Sequence, residues 1–367
     1  MLARAEREIG LDSWAVSFRP SPFGYKSDQV LWNNEDSMPI REVKRWQLLW
    51  RALRYFDIVS FNFGQSMMPH RILTSPETRY GFQSVVSQLY RLYSQTFELA
   101  DLPLLKRTGK GIIVTYHGDD ARQGDFCLAH FDLHHVTEVE EGYYSRESDA
   151  HKRYRIAKFA RYADRIFALT PDLLHMLPPE ADFLPVSNID LRDWRPVERP
   201  RSDLEEPLVI HAPTHRRGKG TRFLLDAISR LKAEGVALRF ALVEGVSQVQ
   251  ARHIYERADI LIDQLLTGWY GSGAVEMMAL GKPVICYIRE SDLRFVPEQM
   301  RKDLPIINAT PVTLHDVLKE WLTTRKHDLQ KLGQTSRAYV EKWHDPMKIA
   351  ARLKDDYEAI MAKQRRG

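Results

Sequence analysis

No run of about 18 apolar residues occurs in this chain of 367 residues, so no membrane-spanning helix is expected. Cysteine is scarce: Cys127 and Cys286 are the only two, they lie far apart, and Cys286 falls inside an apolar, strand-like run. Two isolated thiols exclude a disulfide framework and a cysteine zinc site, and they agree with a reducing, cytoplasmic setting. An excess of one charge is also lacking. The formal net charge is +4, too small at this length to call for nucleic acid. The N-terminal MLARAEREIG is amphipathic and lacks the apolar core of a signal peptide. No internal repeat or low-complexity tract stands out. What remains is ordinary globular composition, 44% hydrophobic and 28% charged, at a length that suggests two domains.

Short apolar runs alternate with amphipathic stretches. Strands are predicted at Trp14–Phe18, Asp57–Phe61, Gly111–Tyr116 and Arg165–Leu169, then at Leu208–His211, Leu238–Val243, Asp259–Ile262 and Pro283–Tyr287. Helices are predicted at Glu42–Tyr55, Phe82–Leu99 and Ala150–Tyr162, then near Thr221–Glu234, Val246–Arg257 and Ser272–Leu280. This alternation implies parallel sheets covered by helices. Proline and charge cluster at Asp193–Pro207, the expected boundary. The expected organisation is residues 1–195, residues 205–345, and a closing helix over 346–367 that crosses back to the first domain.

The most informative stretch is GWYGSGAVEMMALGKP, from Gly268 to Pro283. It lies between the apolar runs at 260–262 and 284–286, so the order is strand, glycine-rich loop, helix, strand. Gly271, Ser272 and Gly273 open the helix, with Ala274 in its first turn. Small residues at a helix N-terminus let backbone N–H groups approach an anion. Glu276 falls one turn in, where a carboxylate can face the same ligand. Gly281-Lys282-Pro283 ends the helix. The pattern fits a phosphate-bearing ligand with a sugar hydroxyl beside it, or simply a well-capped helix. Trp269 and Tyr270 either stack on a sugar ring or fill the cleft.

Loops after parallel strands are where such folds place chemistry. After the 208–211 strand comes Ala212-Pro-Thr-His-Arg-Arg-Gly-Lys-Gly-Thr221, in which Arg216, Arg217 and Lys219 offer charge to a diphosphate and Gly218 and Gly220 allow close approach. The alternative is a solvated basic turn. After the 111–116 strand, His117, Asp119, Asp120 and Arg122 form a second polar loop, suited to sugar or phosphate contacts or to local capping. Gly64, in Asn62-Phe-Gly-Gln-Ser66, marks a third loop, which either lines the acceptor side of a cleft or is only a turn. Asp263-Gln264 is the fourth, either touching a ligand or satisfying loop backbone. Residues 44–56, with Trp46, Leu49, Trp50 and Leu53 as an apolar stripe among Lys44, Arg45, Arg51 and Arg54, read as a covering helix or as a peripheral membrane contact.

Taken as a set, the basic 216–220 loop, Ala258-Asp259, Gly271 through Glu276, Ala279, Gly281 and Pro283 resemble the nucleotide-binding domain of GT-B glycosyltransferases of the retaining family 4. His117 in YHGDD and the FALTPDLL segment at 167–174 fit the first domain of such enzymes. The resemblance implies two Rossmann-like, doubly wound domains facing across a cleft. It implies metal-independent, cofactor-free transfer of a hexosyl unit from a nucleotide-diphosphate sugar, with retention, to a sugar, lipid-linked or small-molecule hydroxyl acceptor, as in polysaccharide or glycoconjugate biosynthesis. It implies that Arg216 and Lys219 hold the diphosphate, that Gly220, Trp269, Tyr270 and Gly271 to Ala274 line the donor site, that Glu276 binds ribose, and that His117 touches the donor sugar or its phosphate. Asp119, Arg122 and Gly64 would face the acceptor. Two departures stand out. Gly268 occupies the position eight residues before Glu276 where the family carries a glutamate, and the chain begins at a helix, Leu2–Ile9, where the family begins with a strand and a glycine-rich loop. A non-catalytic nucleotide-sugar binder or partner protein and a sugar-nucleotide epimerase are the alternative functions.

Overall fold

The computed structural model of the chain describes residues 1–21, 24, 26–73, 85–196 and 205–365. The first residues predicted for the helix at 82–99 and the middle of the 193–207 boundary lie outside them. Helix α1 (Leu2–Glu8) leads to a two-residue parallel pair, β1 (Val16–Ser17) and β2 (Gln29–Val30). Then come α2 (Met38–Tyr55), β3 (Ile58–Asn62), α3 (Val85–Phe97), α4 (Asp101–Arg107), β4 (Gly111–Tyr116), α5 (Gly124–His130), α6 (Arg146–Tyr162), β5 (Arg165–Ala168) and β6 (Asp182–Phe183). The second half holds β7 (Leu208–His211), α7 (Arg216–Lys219), α8 (Thr221–Ala233), β8 (Arg239–Leu242), α9 (Gln248–Arg257), β9 (Ile260–Ile262), α10 (Ser272–Ala279), β10 (Val284–Cys286), α11 (Glu298–Asp303), β11 (Ile307–Asn308), α12 (Leu314–Leu322), α13 (Leu329–Trp343) and α14 (Pro346–Gln364).

Two parallel sheets result. In the first, β3-β4-β5-β6 follow chain order; the second runs β11-β10-β9-β7-β8, so its order reverses between β7 and β9. Both are covered on two faces, which is why their strands read as continuous apolar runs. The period of two still sorts the side chains. Val209, Ile260, Ile262 and Ile285 join one core layer with Leu224 and Leu318, while Ile210, Leu261, Val284 and Cys286 join the other with Val275 and Met278. In the first sheet, Ile112, Val114 and Ile166 face one layer, and Ile113 and Phe167 meet Ile349, Leu353 and Ile360 of α14.

Three short strands, β2, β6 and β11, and helices α4 and α5 were not anticipated from the sequence; each is too short for its period to be read. The stripe expected on α2 is also corrected. Leu49 is buried, but Trp46 and Trp50 are 41% and 59% exposed, because Arg45, Leu48, Leu49 and Ala52 form the inward face.

Candidate functional site

The crevice at the carboxyl ends of β7 and β9 is where the second sheet reverses, the position at which open parallel sheets bind ligands. From β7 the chain enters α7, whose first turn is capped by His215: its Nδ1 accepts from Gly218 N–H at 2.9 Å. The remaining ring proton therefore sits on Nε2, which donates to Glu140 at 2.9 Å. Gly220 closes α7 with φ +78, and an added Cβ would stand 3.2 Å from Leu265 Cβ. Glycine is required here by the left-handed backbone and by the neighbouring loop.

That turn delivers Lys219 to the start of α10. Its Nζ donates to Asp263 at 2.8 Å, and Asp263 also accepts from Gly271 N–H at 2.6 Å. Asp263 is buried and holds the ammonium group beside the helix N-terminus. Of the first-turn N–H groups, Gly271 donates to Asp263 and Ala274 to the Gly271 carbonyl at 3.1 Å. The Ala274 N–H is thus used within the expected first turn, and Ser272 and Gly273 keep the N–H groups that helix geometry leaves without intrahelical acceptors. Glu276 lies one turn deeper, accepting from Gln248 Nε2 at 3.2 Å. The helix ends in the expected glycine, with Gly281 N–H on Met278 O and Lys282 N–H on Met277 O.

The structure divides the rest of the basic loop. Arg216 is largely exposed and paired with both oxygens of Glu244, with Nε at 2.7 and 2.9 Å. Arg217 donates to the Glu138 carbonyl, and Arg222 pairs with the Glu138 carboxylate at 2.7 Å. The acidic segment 138–141 of the first domain thus lies across the basic loop of the second, leaving a cavity of about 540 Å³ that Arg216, Arg217 and Arg222 line. Opposite charge, EVEE at 138–141 against RRGK at 216–219, is the signal by which the sequence could have pointed to this contact.

Trp269 and Tyr270 are corrected to core residues. Each is 2% exposed; Trp269 meets Phe183 edge-on, and the Tyr270 hydroxyl bonds Tyr339 at 2.8 Å and His344 at 2.9 Å. Gly268 has φ +86, and a Cβ there would stand 2.9 Å from both Cβ and Nη1 of Arg289. Buried Arg289 bonds Asp292 and the Leu133 carbonyl, each at 2.8 Å, and stacks over Phe131 at 3.7 Å. Asp292 in turn accepts from His175 at 2.8 Å, so this cluster joins the two domains.

On the first sheet, His117 donates from Nε2 to Asn62 at 3.0 Å and stacks on Phe63. Burial lowers its pKa to about 4, so it is neutral near pH 7. Asp120 caps the turn, accepting from the N–H groups of His117 and Gly118. Asp119 and Arg122 form a brace. Arg122 is buried, bonding Asp172 and Asp119 at 2.8 Å each, and Asp119 also accepts from Tyr143 and Tyr144. Burial pushes the Asp119 carboxyl up, but His135, 3.6 Å away, and the charge of Arg122 outweigh it and hold it well below the carboxylate range. Such a group is a poor base. Gly64 is likewise structural: at φ +52, an added Cβ would stand 2.5 Å from Tyr116 Cε1.

No family model matches the chain, and no curated protein matches it in sequence. Solved structures do match in fold. The chain is similar to sucrose-phosphate synthase from Thermosynechococcus elongatus at 14% identity and a TM-score of 0.61, over 99% of this chain and 92% of that one. It is similar to a glycosyltransferase from Rickettsia africae at 12% identity and a TM-score of 0.52, covering 90% and 84%. It is also similar to HepE from Anabaena, solved with UDP-glucose, at 10% identity and a TM-score of 0.52, covering 86% and 82%. The fold is therefore the two-domain α/β arrangement of GT-B glycosyltransferase structures.

Proposed function

We propose that this chain is a retaining glycosyltransferase that moves a sugar from a nucleotide-diphosphate donor to a hydroxyl acceptor without a metal ion. One observation carries the reading: Lys219, oriented by Asp263, meets the N-terminus of α10 at the reversal of the second sheet, with Glu276 one turn deeper. Ammonium and helix N–H groups together stabilise negative charge on a departing diphosphate. The bond from the anomeric carbon to the phosphate oxygen breaks and a bond from the acceptor oxygen forms on the same face. The acceptor proton passes to the departing phosphate. Glu276 binds the ribose hydroxyls, and neutral His117 offers a hydrogen bond across the cleft rather than a charge. Arg216 contributes only after leaving Glu244.

A second reading, a nucleotide-sugar binder without turnover, is favoured by Gly268, whose backbone and Arg289 neighbour exclude a carboxylate at that position. Thermal shifts with UDP, GDP, ADP, dTDP and their sugars, with and without magnesium, test the donor site, with UDP-glucose first because HepE was solved with it. A shift with one nucleotide, unchanged by magnesium and lost in Lys219→Ala, supports the assignment. No shift with any of them refutes it. Nucleotide diphosphate released only in the presence of an acceptor then separates transfer from binding and from epimerisation.

A further inference from the structure

Helix α3 is amphipathic in the wrong sense for a covering helix. Its one buried residue is Ser94, whose hydroxyl bonds back to the Arg91 carbonyl, while Val85, Val86, Leu89 and Leu92 are 70%, 71%, 61% and 62% exposed. Spacings of three and four residues set Val85, Leu89 and Leu92 on one face. The side toward α2 carries the aromatic rings. Trp46 Nε1 donates to Tyr93 at 2.9 Å and meets Phe97 edge-on, and the Tyr90 hydroxyl donates to Glu42 at 3.0 Å. Exposed Val43, Trp46 and Trp50 extend the apolar surface along α2. Single exposed apolar residues are ordinary; two adjoining helices with outward apolar faces mark an interaction surface.

We propose that α2 and α3 form a docking face for an anionic lipid surface. Charge selects this occupant. Arg41, Arg51, Arg54 and Arg91 stand against a single acid on the two helices, Glu42, which is held by Arg45 at 3.2 Å and by Tyr90, while Arg45 itself faces inward and Lys44 is paired with Asp36 at 2.6 Å. Arg51, Arg54 and Arg91 are exposed. Aliphatic side chains flanked by tryptophan, tyrosine and arginine suit the boundary between headgroups and acyl chains. A second copy would press the same face against itself and set arginine against arginine. No helix among the described residues is long and apolar enough to cross a bilayer; the contact is with its surface. The assignment is independent of the donor site.

The test is co-sedimentation of the full chain with vesicles of phosphatidylcholine, with and without phosphatidylglycerol, at low and high salt. Binding to the anionic vesicles should weaken with salt and fall about fivefold for each of Arg54→Gln and Arg91→Gln. It should be lost in Leu89→Asp/Leu92→Asp, whose side chains are too exposed for the change to affect the melting midpoint. No binding to anionic vesicles overturns the proposal, as does binding that survives the double aspartate variant. A concentration-dependent dimer that this variant abolishes, with no vesicle binding, would assign the face to a second copy and overturn it equally.

Discussion

Gly268→Ala is expected to be far more costly than a glycine-to-alanine change in a loop. Its left-handed backbone alone costs a non-glycine residue about 1–2 kcal/mol. The new Cβ would also lie 2.9 Å from Arg289 Cβ and Nη1, and Arg289 cannot slide away freely because its N–H donates to the Gly268 carbonyl at 2.9 Å. Displacing Arg289 stretches its bonds to Asp292, which is fully buried, and to the Leu133 carbonyl. Breaking a buried charged pair costs about 3 kcal/mol at the low end of its range, appropriate here because His175 stays on Asp292. Gly268→Ala should therefore lose about 4–5 kcal/mol and Arg289→Ala about 3 kcal/mol. The double variant should lose about 4–5 kcal/mol, not the total of the two, because the arginine can be displaced only once. Urea denaturation at pH 7, read by tryptophan fluorescence, measures all three. Additive losses, or a Gly268→Ala cost below about 1 kcal/mol, would refute the clash. Gly268→Glu should then fail to create a sugar-binding carboxylate, for the same steric reason.

Lys219→Met should weaken nucleotide-diphosphate binding by at least about tenfold, since a charge-assisted contact is removed, and titration calorimetry would show it. Arg122→Met should cost about 3–5 kcal/mol at pH 7 by stranding buried Asp172. In the wild type, burial raises the Asp172 carboxyl, but the Arg122 charge and hydrogen bond outweigh it and depress it, so its contribution is present above the unfolded value and lost only as pH falls through the lower folded one. Without Arg122, burial is opposed only by Thr170 and the charge of Arg289, so the carboxyl shifts upward and the deficit measured by urea denaturation should shrink from pH 7 to pH 5. His344 is buried between Tyr270 and the Val186 carbonyl, and burial lowers its pKa from 6.5 to about 4. A histidine that stays neutral when folded loses stability as pH falls from 6.5 toward 4, about 3 kcal/mol in all. His344→Gln should remove that share of the acid slope in denaturation curves.

The apolar runs at 111–116, 208–211, 260–262 and 284–286 and the glycine-rich turn into α10 were legible because each has local physics: a strand buried on both faces, a left-handed cap, a helix start. Lys219 was legible as a charge in a loop, and its place at the helix came with the order of strands. The local reading left Trp269, Tyr270, Asp119 and Arg122 open between ligand contact and a structural role, and the resemblance alone set them toward donor and acceptor. Their residue types suit a ligand, but whether an indole faces a cleft or a core depends on Phe183, and whether an arginine is free depends on Asp172, both distant in the chain. The opposite held for α3, whose spacing announces an amphipathic helix yet does not say which face looks inward. Local sequence determined which segments become helix and strand, because backbone sterics and side-chain period act over a few residues. Tertiary structure alone decided which charges are spent on partners, which glycine can never bear a side chain, and which apolar face is left to solvent, because those depend on what other parts of the chain bring alongside.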